Sequence, residues 1–461
     1  MRRLVALAVV SILVGAWSAP RAPQWFRVQS RHFIVSGDAR QDEVREVAFL
    51  LEMFRDVFAR VLPGARDRSL LPPFVVVFGS DRSFEPYKPT LNGKPAPVGG
   101  YVVREPQIPC MALRLDRGGE SYRTIFHEYA HVLFDGPRIP LWLREGVAEY
   151  YSTTLLNHDR RRVLLGAPVA PHVARLSRDF LPLPELLSIT RNAKIWNDEK
   201  GRTFYAESWA MVHYLIRGSA AHGAQIPLFV QRLAEGRDER EAFEETIGAP
   251  QAVERDLLRY IRGGMRSPDE VLLPDQVLVD IPPTRRMLPA EVEATFGRLQ
   301  FQLQRDDEAL AHLEAALRLE PTLAEAQTIL GLLRMRQGRP GDAIGPFKAV
   351  LAGSPPNLLV AHNYAVVILD TYDPGRPAQV EAAYAALAPL IGPDAAAEPM
   401  AVLGALASRL GRLDEAERLL RRALERSPAR RPTLLELADV YMKLGRLDEA
   451  RRLREEAGPD R

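Results

Sequence analysis

Ser121 to Ser152 reads SYRTIFHEYAHVLFDGPRIPLWLREGVAEYYS, and the N-terminal half of the chain is organised around it. It contains His127-Glu128-Tyr129-Ala130-His131 and, after thirteen intervening residues, Glu145-Gly146-Val147-Ala148-Glu149. Residues four apart on a helix lie one above the other, so His127 and His131 share a face. Two neutral imidazoles at that separation can hold one zinc ion at about 2.0–2.1 Å each. Glu128 sits between them, near enough to handle a water on the metal without occupying it. A catalytic site of this kind needs a third ligand and leaves a fourth position open. Asp135-Gly136-Pro137 is a turn signal, and Pro140 suits the first turn of a second helix. A short turn lets that helix fold back, with Glu145 facing the histidine pair. Glu149, four residues on, is placed to accept a hydrogen bond from a ligating imidazole and fix its tautomer. HEYAH alone equally describes an amphipathic helix with two satisfied histidines; the second helix with its spaced glutamates favours the metal.

These segments resemble the gluzincin metalloproteases, and more narrowly the bacterial peptidase-MA-like proteins that carry tetratricopeptide repeats. The matching residues are HEYAH and the run WLREGVAEY from Trp142 to Tyr150. The resemblance implies an α+β zincin-like metallopeptidase domain over residues 24–263. It also implies one Zn2+ per chain bound by His127, His131 and Glu145, with Glu128 as general base and Glu149 behind the ligands. In that family the strand before the metal helix is usually the sheet edge on which an extended substrate pairs. By resemblance that edge is Met111, Ala112, Leu113, Arg114 and Leu115. A Tyr-Ala-x-Ser-Trp run, here Tyr205 to Trp209, also recurs in the family at a similar distance after the third ligand. A phenol there can donate to a developing oxyanion, making Tyr205 a second catalytic candidate. A tyrosine that opens a buried helix also packs and ties down loops, so both roles stay open.

Arg2 and Arg3 precede an apolar run, Leu4 to Ala16, ending in Ala16-Trp17-Ser18. That is the pattern of a signal peptide over residues 1–18, with an uncleaved anchor as the alternative. The run is short of the roughly 20 residues a membrane span needs, and no later segment reaches that length without charges. A soluble periplasmic or secreted bacterial protein is expected, with no stable membrane span after signal cleavage. Net charge is +2, with basic and acidic residues interspersed, which speaks against nucleic acid and anionic surfaces as partners. The single cysteine, Cys110, lies in PCMALRL and suits a packed strand. Export without disulfides fits a bacterial periplasm.

With 461 residues the chain has room for two or three domains. From Trp25 it alternates strand (31–35), helix (39–61), a fully apolar strand (73–78) and a hairpin (99–103 with 110–115). Residues 155–200 are irregular, as segments bordering a site often are. A helix with one strongly apolar face follows from Thr203 to Leu215, where His213 reads as structural. Helices at 224–234 and 250–261 complete the unit. His32, His158, His172 and His222 lack ligand spacing and are expected on the surface or in loops. Residues 264–289, rich in proline, read as a linker.

The C-terminal third repeats. QRDDEA (304–309), GRPGDA (338–343), GRLDEA (411–416) and GRLDEA (445–450) recur, with 34 residues from Ala309 to Ala343 and from Ala416 to Ala450. This is the tetratricopeptide period. Gly297, Gly331 and Gly404 each precede the repeating alanine by twelve residues, where paired helices should cross closely. The interval from Ala343 to Ala416 is 73 residues, two repeats plus five, so the third repeat is degenerate, with an insertion near 371–376. About five repeats are expected over 290–458, forming an all-α solenoid whose concave groove binds a protein partner. The chain is thus expected to be an exported zinc peptidase, an endopeptidase rather than an aminopeptidase, acting on a peptide or protein substrate, with an array that recruits substrate or partner. The rival is a catalytically silent zinc-binding scaffold acting through the repeats.

Overall fold

Phe74–Phe78, FVVVF, is buried at every position. A strand reaches that state only with cover on both faces, because successive side chains point to opposite sides. In the computed structural model both faces are covered, by different parts of the chain. The structure describes residues 23–62, 72–91, 93–103, 109–115, 120–134, 138–157, 159–190, 199–218, 224–265, 268–353, 357–427 and 430–458. The expected leader, His158 and His222 lie outside them.

Phe74–Phe78 is central in a six-stranded sheet ordered Arg285–Arg286, Phe26–Gln29, Ile34–Gly37, Phe74–Phe78, Cys110–Arg114, Gly100–Val103. Ile34–Gly37 and Cys110–Arg114 run parallel to it, and the outer strands are antiparallel to their neighbours. Val75, Val77, Met111 and Leu113 point into a core shared with helix Gln41–Val61 and helix Glu120–Leu133. Phe54 of the first helix stacks on Phe126 of the second at 4.6 Å, and Tyr129 meets Phe33 at 4.9 Å. Tyr129, the middle of HEYAH, is therefore the residue that turns the helix's apolar face to the sheet. The two histidines are left on the other side.

Phe74, Val76, Phe78, Cys110 and Ala112 point the opposite way, into a second core. Its other members include Trp25, Tyr87, Tyr101, Met287 and Leu299, with Phe296 packed against them. Phe296 lies on Pro289–Gln302, the first helix of the C-terminal array, edge-on to Trp25 at 5.1 Å and stacked on Tyr87 at 4.9 Å. Charge follows the same path. Arg27 donates to Glu325 (2.9 Å), Thr295 (3.2 Å) and Ser36 (2.8 Å), tying two array helices to the sheet. Cys110 is wholly buried here, and burial pushes its thiol up to about 12, as suits a packed residue.

Two expectations are corrected. Residues 264–289 are not a free linker. Asp269–Leu272 pairs with Arg162–Leu165, Arg285–Arg286 forms the sheet's outermost strand, and Leu273, Val277 and Ile281 are buried in the main core. The prolines keep this segment extended, and extended backbone beside open strand edges pairs with them. Nor is Met111–Leu115 a sheet edge. Cys110–Arg114 pairs on one side with Phe74–Phe78 and on the other with Gly100–Val103, which is the outer strand. Leu115 lies just past the strand and donates its amide to Phe78 O at 2.9 Å.

Among the described residues the array comprises five helix pairs. They are Pro289–Gln302 with Asp306–Leu319, Ala324–Arg336 with Pro340–Gly353, Leu358–Asp370 with Pro377–Leu387, Ala397–Arg409 with Leu413–Arg426, and Arg431–Lys443 with Leu447–Ala457. The third pair carries the longer inter-helix turn expected at 371–376. The first residue of each repeating hexapeptide ends a helix in left-handed backbone: Gly338 (φ 70°), Gly411 (75°), Gly445 (78°), and Gln304 (58°) where glycine is missing. A Cβ on Gly297, Gly331 or Gly404 would stand 2.8, 2.5 or 2.8 Å from Leu313, Phe347 or Leu420, which is the close crossing their phase implies.

Candidate metal centre

Helix Glu120–Leu133 and helix Leu141–Tyr151 pack face to face and bring three donors together. His127 Nε2 and His131 Nε2 are 3.1 Å apart. Glu145 Oε2 lies 3.6 Å from the first and 3.3 Å from the second. Among the described residues these three form the one group of histidine, cysteine or carboxylate side chains close enough to share an ion. The triangle can be tested against a tetrahedral zinc. Donors about 2.0–2.1 Å from such an ion stand about 3.3–3.4 Å from one another. The three edges straddle that value, so an ion slightly above their plane satisfies all three distances and keeps a fourth position open. The donor set fits.

Glu149 stands one turn beyond Glu145. Its Oε1 is 3.4 Å from His127 Nδ1, and its Oε2 meets Arg123 Nη2 at 2.9 Å and His172 Nε2 at 3.1 Å. A carboxylate on Nδ1 keeps the proton there and directs the Nε2 lone pair at the ion position. Burial opposes charge on His127, but Glu149, Glu145 and Glu128 outweigh it and push the imidazole up to about 9. Burial also acts against charge on Glu149, yet His127, His172 and Arg123 hold its carboxyl down at about 2. Glu145 is likewise held well below the usual carboxylate range, its burial overcome by His131 and His127. A cationic imidazole is what anionic donors select when no metal ion competes for the same lone pair.

The returning helix owes its position to Gly146. A Cβ there would stand 2.3 Å from Ser208 O and 2.6 Å from Val212 Cγ2, so helix Leu141–Tyr151 crosses helix Glu199–Arg217 nearly backbone to backbone. The glycine between the two glutamates thus sets the height at which they meet the histidines. Glu207 anchors the other side of helix Glu199–Arg217, accepting the Leu181 amide at 2.8 Å. Burial pushes its carboxyl up to about 8, with Glu254 and Glu185 adding to the rise against the Leu181 hydrogen bond.

A cleft of about 460 Å³ opens beside the triangle. Helix Glu120–Leu133 contributes Arg123, Thr124, His127 and Glu128 to its wall, and helix Glu199–Arg217 contributes Arg202 and Tyr205. Burial raises the Tyr205 phenol, reinforced by the charges of Glu145, Glu128 and Glu149, so its proton stays on at any ordinary pH. Helix Ala170–Leu176 closes the cleft with Pro171, His172 and Arg175. His172 was expected in a loop or on the surface; it lies instead against Glu149 and Trp209. No local spacing announces it, because it reaches the site from a separate helix. Arg123 carried a signal, standing four residues before His127 on the same face. His213 is away from the cleft: Nε2–H donates to Gly166 O at 3.1 Å, and Nδ1 accepts the Tyr260 hydroxyl at 2.8 Å.

Comparisons with known proteins fall on the array. Two tetratricopeptide repeat family models match, over residues 295–357 and 407–460. Among solved structures, a MamA protein is 20% identical, with 36% of this chain covering 89% of that one at a TM-score of 0.32. YrrB, described as a tetratricopeptide protein with an unusual peptide-binding site, is 18% identical over 36% and 84%, also at 0.32. A thermophilic tetratricopeptide protein of Thermus thermophilus is 27% identical over 36% and 89%, at 0.28. No curated protein matches the chain. No helix among the described residues is long and apolar enough to cross a membrane. Two matched segments in phase with five helix pairs establish that the C-terminal part of this chain carries tetratricopeptide repeats, an architecture that binds protein partners.

Proposed function

We propose that the chain is an exported zinc-dependent peptidase of gluzincin type, whose array recruits protein substrates or partners. The observation that carries this reading is the donor triangle His127, His131, Glu145, with Glu149 fixing His127 from behind and an open cleft in front. A zinc ion held there supplies Lewis-acid polarisation of a carbonyl and makes a water acidic near neutral pH. Glu128, on the cleft wall, takes the proton of the attacking water and hands it to the leaving amine. Tyr205, kept protonated, donates its O–H to the developing oxyanion. An extended peptide adds to the outer strand Gly100–Val103. A Cβ on Gly100 would stand 3.0 Å from Thr124 Cγ2, so this strand runs beside the cleft wall.

The test is turnover of a denatured protein substrate by the zinc-reconstituted full chain. Activity lost in Glu128→Gln with one zinc per chain retained supports the peptidase. Zinc retained with no turnover by the unaltered chain leaves a scaffold that works through its repeats. A chain that binds no zinc, or binds it fully in His131→Ala, removes the centre.

A further inference from the structure

The cleft wall has an uneven charge distribution. Its two acids, Glu128 and Glu149, are spoken for, one as the base and the other held by Arg123, His127 and His172. The ionised groups that remain on the wall are Arg175 and Arg202, on two different helices. Both guanidiniums converge on Glu199, and Arg175 also meets Asp179 at 3.0 Å. Among the described residues these contacts use Nη1 of Arg175 and Nη2 of Arg202. A guanidinium carries five N–H donors in a rigid fork, so each has donors left over. The outer carboxylates therefore hold the two forks in place without consuming them. A cleft meant for a neutral peptide gains nothing from two arginines whose hydration it must displace.

We propose that Arg175 and Arg202 form a carboxylate-binding subsite, which selects substrates presenting either an acidic side chain or a free C-terminus next to the scissile bond. This rests on the cleft being the substrate site of the proposed peptidase. The two sources share one chemistry, a planar carboxylate received by paired N–H donors. They imply different enzymes, an acid-directed endopeptidase in the first case and a carboxypeptidase in the second.

Binding is read without turnover, so that a failed peptidase reading and a failed subsite are told apart. The probes are four fluorescein-labelled hexapeptides with a central Glu or Gln and a free or amidated C-terminus, titrated by anisotropy against the metal-stripped full chain. The expected result is that one of the two carboxylates tightens binding about tenfold over its amide counterpart, the size of one charge-assisted pair in a partly exposed site. Whichever carboxylate does so names the source. The discrimination should fall to within about twofold in Arg202→Gln and in Arg175→Gln. Arg202 is 64% exposed and its loss leaves the core untouched, so that variant decides the matter if Arg175→Gln melts early. Equal binding of all four peptides, no binding, or discrimination that survives Arg202→Gln overturns the proposal; the last would place recognition elsewhere, as in the repeat groove.

Discussion

A chain ended at Gly263, where the sequence suggests a domain boundary, is expected not to fold. Such a truncation removes the strands Asp269–Leu272 and Arg285–Arg286 and, with them, the buried side chains Leu273, Val277, Ile281, Met287 and Leu299. Each fully buried side chain of this size contributes about 1.5–3 kcal/mol, so the five together contribute roughly 8–15 kcal/mol. That matches the whole stability of an ordinary domain, about 5–15 kcal/mol. The loss also uncovers Trp25, Phe74, Phe78 and Tyr87 as one aromatic patch, and such a patch drives association. A second truncation, ended at Gly353, keeps residues 264–289, the first two helix pairs and the Arg27–Glu325 bond. Thermal melting followed by near-ultraviolet circular dichroism, with dye binding to exposed apolar surface, compares the two with the full chain. The expected result is a cooperative melt for the Gly353 form and none for the Gly263 form. A Gly263 form melting cooperatively within a few degrees of the full chain would refute the idea that the array completes the sheet.

Three further outcomes are expected. Glu149→Gln should lower zinc affinity or turnover by about 10–100-fold while the protein still melts cooperatively; competition against a chromophoric chelator measures it, and unchanged affinity would mean that Glu149 does not orient His127. Gly146→Ala should cost about 1–3 kcal/mol by overpacking and weaken zinc binding as well, because the added methyl must push the glutamate-bearing helix off Ser208 and Val212; an undiminished melting temperature with full zinc affinity would contradict the close crossing. Glu207→Gln should stabilise the protein increasingly as pH rises. The folded carboxyl titrates near 8, above its ordinary 4.5, so its contribution is full below about pH 4.5 and is lost as pH rises through 8. The gap between variant and unaltered chain should open by up to on the order of 4 kcal/mol between pH 5 and 9, and a gap independent of pH would show that Glu207 is ionised throughout.

What could be seen in the sequence was whatever depends on short separations along a helix. His127 and His131, Glu145 and Glu149, and the phase of the repeating glycines and alanines follow from 3.6 residues per turn, and neighbours at that range are neighbours in space. What escaped depends on pairing between distant segments. The hairpin at 99–115 was legible, but which of its strands lies outermost is decided by which one Phe74–Phe78 accepts as a partner. Residues 264–289 read as a linker for the same reason, since proline marks extended backbone without naming the edge it joins. His172, Arg175 and Arg202 line the cleft because two helices far apart in sequence converge, and nothing local records that convergence.

FVVVF held one further clue. A strand apolar at every position needs cover on both faces, yet the elements nearest in sequence can cover only one. Helix Gln41–Val61 and the histidine helix take the face of Val75 and Val77, leaving Phe74, Val76 and Phe78 to be buried by something else. The first repeat helix does it, with Arg298 lying 4.4 Å from the Phe74 ring centroid. This also resolves how the solenoid begins, because a repeat array needs its terminal helix capped, and here the sheet is the cap. Strands whose alternate residues hold the histidine helix and the first repeat helix belong to neither part alone. A partner drawn into the repeat groove therefore acts on an array anchored, through the strands Phe74–Phe78 and Cys110–Arg114, to the back of the candidate metal centre.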